Sequence, residues 1–494
     1  MKNIGLAKET SLLFVVKVCG AVFSFVVQIL INRLLGTSVY GQLSTYLAVA
    51  AVMINLLNLG TNIGMVKKIA TSSSNRNDKK YIQYSLNISI AVTILFLLVS
   101  IIGYQQIIGL FSGNGLIMAM IILYSFSFAI SNMFTGYLQG KKRTLFANVI
   151  DIVIYNLLLI GGALIASIIK KSVNTLLVAY LFTNILVLIY KIIVINKEDN
   201  NIFEKWRVLT KEETKENINY AGLCIPFCLS TLCISVQFMV MKIILDSNMG
   251  SYDVGIFRIL ETYVSCMALF VSPFITLWPY MAKAYKEDRM IELKNIYSNS
   301  VSVIALLALP TTISMLICCK EVYAIFGLDY SIIPGAFIAF FFMMLAGTID
   351  AIIGPAGALL KMTNYGVANL IITVVFVFFS IGISICIIPK YGLIGAAIST
   401  SISRILTNIF TAVFNYLKLK IWPYNFKLFV LLLASLPLYF GGKCLYTAID
   451  SAWVINILTI AVFEIVFFVI LFYFLYKDLT SSFVASIKNK VFGR

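Results

Sequence analysis

Histidine is absent from all 494 residues of this chain. That single absence excludes histidine proton relays, Ser-His catalytic arrangements and histidine-dependent membrane acyl transfer. Charge is also scarce, with 12% Asp, Glu, Lys and Arg against 60% hydrophobic residues. A soluble fold of this length would lack the polar surface to cover its core. The nine cysteines form no Cys-x-x-Cys pair and lie in or beside apolar runs, where a thiol behaves as a small hydrophobe. Cys224 and Cys228 share a helix face, but without histidine a metal site there lacks further ligands. No Asp-x-Asp pair occurs either, which weakens a metal-dependent sugar transferase.

What fills the chain instead is a succession of apolar runs, each near the roughly 20 residues needed to cross a bilayer as a helix. The pattern predicts an all-α polytopic membrane protein with about 14 transmembrane helices; barrel strands would alternate over about ten residues rather than run continuously apolar. Met1 to Thr10 carries two lysines ahead of the first span, as a signal peptide would. The span is too long and lacks a small-residue cleavage site, so it is expected to stay.

Most of the 38 Lys and Arg fall in loops on the side of the N-terminus, so both termini are expected in the cytoplasm. The formal charge of +17 is therefore mainly topological. Lys67, Lys68, Arg76, Lys79 and Lys80, and then Lys141, Lys142 and Arg143, flank spans and should meet anionic lipid headgroups rather than nucleic acid.

The most hydrophilic stretch, residues 196–217, divides six spans from eight. It suggests an N-lobe at 1–195, a cytoplasmic linker at 196–217, a C-lobe at 218–416, and an appended pair of spans with a cytoplasmic tail at 417–494. An offset of 214 residues lays Tyr40-Gly41 on Val254-Gly255, Gln28 on Lys242 and Asn32 on Asp246 without a gap. A related offset of 221 lays Ala147-Asn148 on Ala368-Asn369. The expected architecture is two pseudo-symmetric six-helix lobes plus two C-terminal helices, a build that places cargo between its repeats.

Two motifs carry a resemblance. Arg33-Leu34-Leu35-Gly36, Tyr40-Gly41, Leu59-Gly60, Gly64 and Lys67-Lys68-Ile69-Ala70 form the first; Pro389-Lys390-Tyr391-Gly392-Leu393-Ile394-Gly395-Ala396-Ala397 forms the second. Their order and spacing, over essentially the whole chain, resemble polysaccharide-type flippases of the multidrug/oligosaccharidyl-lipid/polysaccharide (MOP) superfamily, nearest to the Wzx type. The resemblance implies a V-shaped, two-lobed exporter in a bacterial plasma membrane. Its cargo would be a polyprenyl-pyrophosphate-linked oligosaccharide, moved from the inner to the outer leaflet for O-antigen, capsule or exopolysaccharide assembly. Polysaccharide polymerase machinery would be a partner, and no cofactor is implied beyond coupling to H⁺ or Na⁺.

The charges inside spans point the same way by themselves. A charge at mid-bilayer costs about 2.5 to 3.5 kcal/mol on insertion scales, so it normally faces a partner or water. Lys17, Lys242, Arg258 and Arg404 are the cations read as lying within spans, and charge-assisted donors are what a diphosphate needs. Lys17, Gly20, Ser24 and Gln28 make one polar stripe on span one. The bland reading pairs Lys242 with Asp246 and Arg258 with Glu261 along their own helices, or lets Lys17 snorkel.

Acidic candidates for ion coupling are Asp350, Glu261, Asp246 and Glu464. Asp350 lies among Gly347, Gly354-Pro355 and Gly357, a combination able to break a helix. Gln28, Asn55, Asn58 and Asn62 are candidate sugar contacts, although amides inside membranes also serve as helix glue. Trp278-Pro279-Tyr280 and Trp422-Pro423-Tyr424 read as interfacial anchors. Two rivals remain: a multidrug exporter of the same superfamily, which an acid-rich interior would favour, and a membrane-embedded polymerase or ligase, which would need a large outer loop.

Overall fold

The computed structural model describes residues 2–475 apart from 72–77, 103–108, 110–113, 142, 200–209, 273, 275–277, 354, 364, 425 and 450–452. Arg76, Lys142, the middle of the hydrophilic stretch, Gly354 and the tail beyond residue 475 therefore lie outside the described residues. Helices make up 93% of the structure, and no strand occurs among the described residues.

The first helices are α1 (Lys2–Leu35), α2 (Thr37–Asn58), α3 (Thr61–Thr71), α4 (Asp78–Ile102), α5 (Gly115–Gly140), α6 (Thr144–Ile169) and α7 (Val173–Asp199). After the hydrophilic stretch come α8 (Lys211–Met249), α9 (Ser251–Val271), α10 (Trp278–Lys286), α11 (Met290–Ile317), α12 (Cys319–Ile325) and α13 (Ala336–Ile353). The last are α14 (Pro355–Met362), α15 (Gly366–Leu419), α16 (Phe426–Ala448) and α17 (Trp453–Leu475). Local signals set several ends. Asn114 caps α5 by accepting from the Leu116 and Ile117 amides, and Thr210 with Glu213 forms a reciprocal capping box at the start of α8.

Thirteen helices among the described residues are long and apolar enough to cross a membrane. One of them, the 54-residue α15, is broken at Gly392, whose φ of 51° and ψ of −123° leave the helical region. Its two halves are each of spanning length, which restores the expected fourteen crossings. A residue with a side chain would be strained at that backbone conformation, which explains the Tyr391-Gly392 turn of the second motif. Large apolar side chains stand exposed along α6, α15, α16 and α17, as with Ile168 at 83% and Phe474 at 74%. Lipid tails are the solvent that such faces suit.

Contacts group the chain into two units, residues 1–259 with 373–396, and 260–372 with 397–494. In the first unit α2 packs against α5 and α8, α5 against α3 and α7, and α1 against α6. In the second, α11 is central and packs against α13, α16 and α17, burying Leu293, Tyr297, Val301 and Ala305 completely. Without a hydrophobic drive between helices in lipid, close packing of small residues holds such bundles together.

The 214-residue offset reappears in the backbone of the first unit. Gly36, between α1 and α2, has φ 96° and ψ 154°; Gly250, between α8 and α9, has φ 90° and ψ 170°. Both are conformations that only glycine adopts without strain. One turn further on, a Cβ on Gly41 would overlap the Ser251 carbonyl, and a Cβ on Gly255 would overlap the Thr37 carbonyl. Thr37 and Ser251 are themselves equivalent under the offset. The contact is thus reciprocal, the signature of a two-fold relation.

Candidate functional site

The polar stripe of α1 is only partly free. Gly20 packs so tightly on Ile152 of α6 that a Cβ would overlap that side chain. Lys17, one turn earlier, is half-buried and makes no hydrogen bond or ion pair to any described residue. Further along, Gln28 accepts a hydrogen bond from the buried Tyr40 hydroxyl at 2.6 Å.

The amide candidates of α2 are engaged between helices. Asn55 donates to Ser235 Oγ of α8 at 2.8 Å, while its carbonyl accepts from Cys228. Asn58 accepts from Thr61 Oγ1 at 2.6 Å, closing the α2–α3 junction. Asn62 is half-buried, and its backbone lies directly against Gly136 of α5. These contacts are the helix-gluing kind.

On α8, Lys242 is 4% exposed and Asp246 accepts from Ser251 Oγ at 2.7 Å. Arg258 on α9 is half-buried. Lys17, Lys242 and Arg258 therefore share the first unit.

Sequence reasoning missed a further cation. Lys191, which charge counting assigns to a loop, lies on α7 with a completely buried side chain. Its ammonium pairs with Asp151 and donates to Ser131 Oγ at 2.8 Å, to the Ser131 carbonyl at 3.2 Å and to Thr135 Oγ1 at 2.8 Å. Thr135 in turn donates to the other oxygen of Asp151 at 2.6 Å. Asp151 sits in a π-helical stretch of α6, Val149–Ile154, a distortion common at functional sites. The legible signal was Ser131 and Thr135, four residues apart on a facing span.

In the second unit, Arg404 of α15 approaches Asp350 of α13 at 3.9 Å, and Asn408 donates to the same carboxylate at 2.8 Å. A proposed phosphate-holding cation and the best-placed acid thus meet in one cluster. Nearby, Asn415 donates to the Ala356 carbonyl at 3.0 Å, supporting the chain where α13 gives way to α14. Glu261 is 5% exposed, and its carbonyl accepts from Ser265. Glu464 stands apart from this cluster, fully buried on α17.

A family model described as "Polysaccharide biosynthesis protein" matches residues 6–285. The chain belongs to that family. The resemblance read from its motifs is borne out. This polysaccharide biosynthesis family member is 23% identical over 411 residues to the capsular polysaccharide biosynthesis protein CapF of Staphylococcus aureus, covering 82% of the chain and 98% of CapF. In fold it is similar to lipid II flippase MurJ in an inward closed conformation, with a TM-score of 0.73, 15% identity, and 95% and 99% of the two chains covered. An inward-facing multidrug resistance MATE transporter of the MOP superfamily matches with a TM-score of 0.63 at 16% identity, over 80% of this chain and 94% of that one.

Proposed function

We propose that this family member is a flippase carrying polyprenyl-pyrophosphate-linked oligosaccharide repeat units from the inner to the outer leaflet, feeding capsule, O-antigen or exopolysaccharide assembly. Cations kept inside the spans of a polysaccharide biosynthesis protein carry this reading, since an anionic diphosphate is what such charges suit. Lys242 and Arg258 both lie on helices long and apolar enough to cross a membrane.

In this reading Lys17, Lys242, Arg258 and Arg404 hold the diphosphate in turn as the protein alternates its access, with the termini in the cytoplasm of a bacterial plasma membrane. The lobe division at 1–195, 196–217, 218–416 and 417–494 belongs to the same proposal, and the reciprocal Gly41 and Gly255 contacts support a repeat beneath it. Asp350, Glu261, Asp246 and Glu464 are the acids proposed to answer to H⁺ or Na⁺, and polymerase machinery the consumer of flipped cargo. Directional movement requires differential binding to the two access states or removal of the product.

Reconstitution in proteoliposomes with a polyprenyl-pyrophosphate oligosaccharide tests the function. Protein-dependent exposure of the sugar on the opposite leaflet is the expected result. No movement, together with efflux of a cationic dye, would replace the flippase with a drug exporter.

A further inference from the structure

Glu464 is the one charged residue of α17 and is completely buried. It occupies the middle of a stripe with Ile460 and Phe468, four residues to either side and equally inaccessible, so the helix turns an apolar face with one carboxyl group in it toward its neighbours. Neither carboxyl oxygen has a hydrogen-bond partner among the described residues. Room for the group is made by Gly442 of α16, where a Cβ would lie 2.7 Å from Glu464 Oε1 and 2.6 Å from Ile317 Cδ1 of α11.

Ile317 has a second exposure. It lines a cavity of about 370 Å³ together with Lys320, Lys443, Tyr439 and Tyr446. Ile317 therefore borders both the cavity and the space beside Gly442 that holds the carboxyl group. The titratable groups near it on the packed elements are Cys318, Cys319, Lys320 and Glu321 at the junction of α11 and α12, and Tyr439, Lys443, Cys444 and Tyr446 on α16. Glu321 Oε1 accepts from the Tyr446 hydroxyl, while its Oε2 has no hydrogen-bond partner among the described residues.

An ionised carboxylate with no donor and no cation is far costlier to bury than the neutral acid. Hard metal cations need several oxygen ligands, and no group of three or more Cys, Asp or Glu able to hold a metal occurs among the described residues. A proton needs one oxygen.

We infer that Glu464 is a proton-binding site in the C-terminal helix pair, loaded through the cavity lined by Lys320, Lys443 and Tyr446 and carrying its proton in the conformation of this structure. Loading is plain acid-base chemistry: a proton from water in the cavity adds to a carboxylate oxygen and later returns to water. The lysines at the mouth favour the ionised carboxylate once water reaches it, so opening the Ile317 barrier releases the proton and closing it requires one. The inference rests on the transport reading for its consequence, a dependence of flipping on a pH gradient.

Infrared spectroscopy of the purified protein in lipid nanodiscs tests the binding without any cargo. Wild type should show a protonated-carboxyl C=O band at neutral pH that is missing in Glu464→Gln. Lys443→Met, a change at an exposed position of the cavity lining, should move the titration midpoint of that band upward by removing a cation from the mouth. A band unchanged in Glu464→Gln, a midpoint indifferent to Lys443→Met, or a band abolished by Na⁺ at constant pH would each overturn the assignment. In proteoliposomes, Glu464→Gln should flip cargo but lose the response to an imposed pH gradient; a full response would also overturn it. Absence of flipping by wild type would sink the proposed function and leave the infrared result to decide the proton site alone.

Discussion

Lys191 and Asp151 form an ion pair inside the first unit in which the cation is wholly buried and the acid about a quarter exposed. The asymmetry matters because the partner left behind after a substitution determines the cost. Asp151 keeps partial exposure and the Thr135 hydroxyl; Lys191 has only Ser131 and Thr135 to fall back on.

Asp151→Asn is therefore expected to be the more damaging change, destabilising the protein by roughly 3–5 kcal/mol as for other broken buried pairs. Lys191→Met should cost about 1–3 kcal/mol, the range for leaving a polar group short of a partner. Thermal unfolding of both variants in the same detergent checks the order. Equal losses would mean that the π-helical stretch relaxes to let Lys191 reach water.

The proposed cation path makes a separate demand. Lys17→Ala and Arg258→Ala should each reduce sugar exposure in proteoliposomes several-fold while membrane insertion and protein level stay at wild type. For Lys17 the structure sharpens the expectation, since the side chain has no described partner whose loss could confound the result. Normal transport in both variants would remove them from the path.

Membrane class and crossing number were legible because hydropathy over about twenty residues is a strong, local signal. Gly36 and Gly392 stood out as members of the two motifs, and their positive φ angles give the reason for glycine there. Side-chain partners were another matter. Lys191 looked like a loop cation because it stands close to the hydrophilic stretch at 196–217; only the facing Ser131 and Asp151, 60 and 40 positions away, reveal its burial. Asn55 and Gln28 likewise present as lumen candidates in one dimension, and only packing shows that Ser235 and Tyr40 take their hydrogen bonds.

The reciprocal glycines yield a steric prediction. Any side chain at Gly41 or Gly255 must move the carbonyl of Ser251 or Thr37, and backbone cannot yield as a flexible side chain does. Gly41→Val and Gly255→Val should part the starts of α2 and α9 and abolish transport with insertion retained. A cysteine at Thr37, on a background lacking the nine native ones, should then label faster with an impermeant maleimide. Unchanged labelling would show that the crossing tolerates a side chain by local adjustment.

Arg404 and Asp350 lead to the sharpest kinetic expectation. Their side chains are 28% and 48% exposed and 3.9 Å apart, a geometry worth about 0–1 kcal/mol to stability. Removing the Asp350 charge should therefore leave the melting temperature nearly unchanged. If Arg404 also binds the cargo diphosphate, however, Asp350 competes with that anion for the same guanidinium. Asp350→Asn should then lower the apparent KM for lipid-linked oligosaccharide, whereas Arg404→Gln should raise it, and the double variant should follow Arg404→Gln because the competitor matters only while the cation is present. Concentration-dependent flipping by all four proteins measures this directly. A rise in KM for Asp350→Asn equal to that of Arg404→Gln would instead mean that the acid positions Arg404 for cargo rather than withholding it.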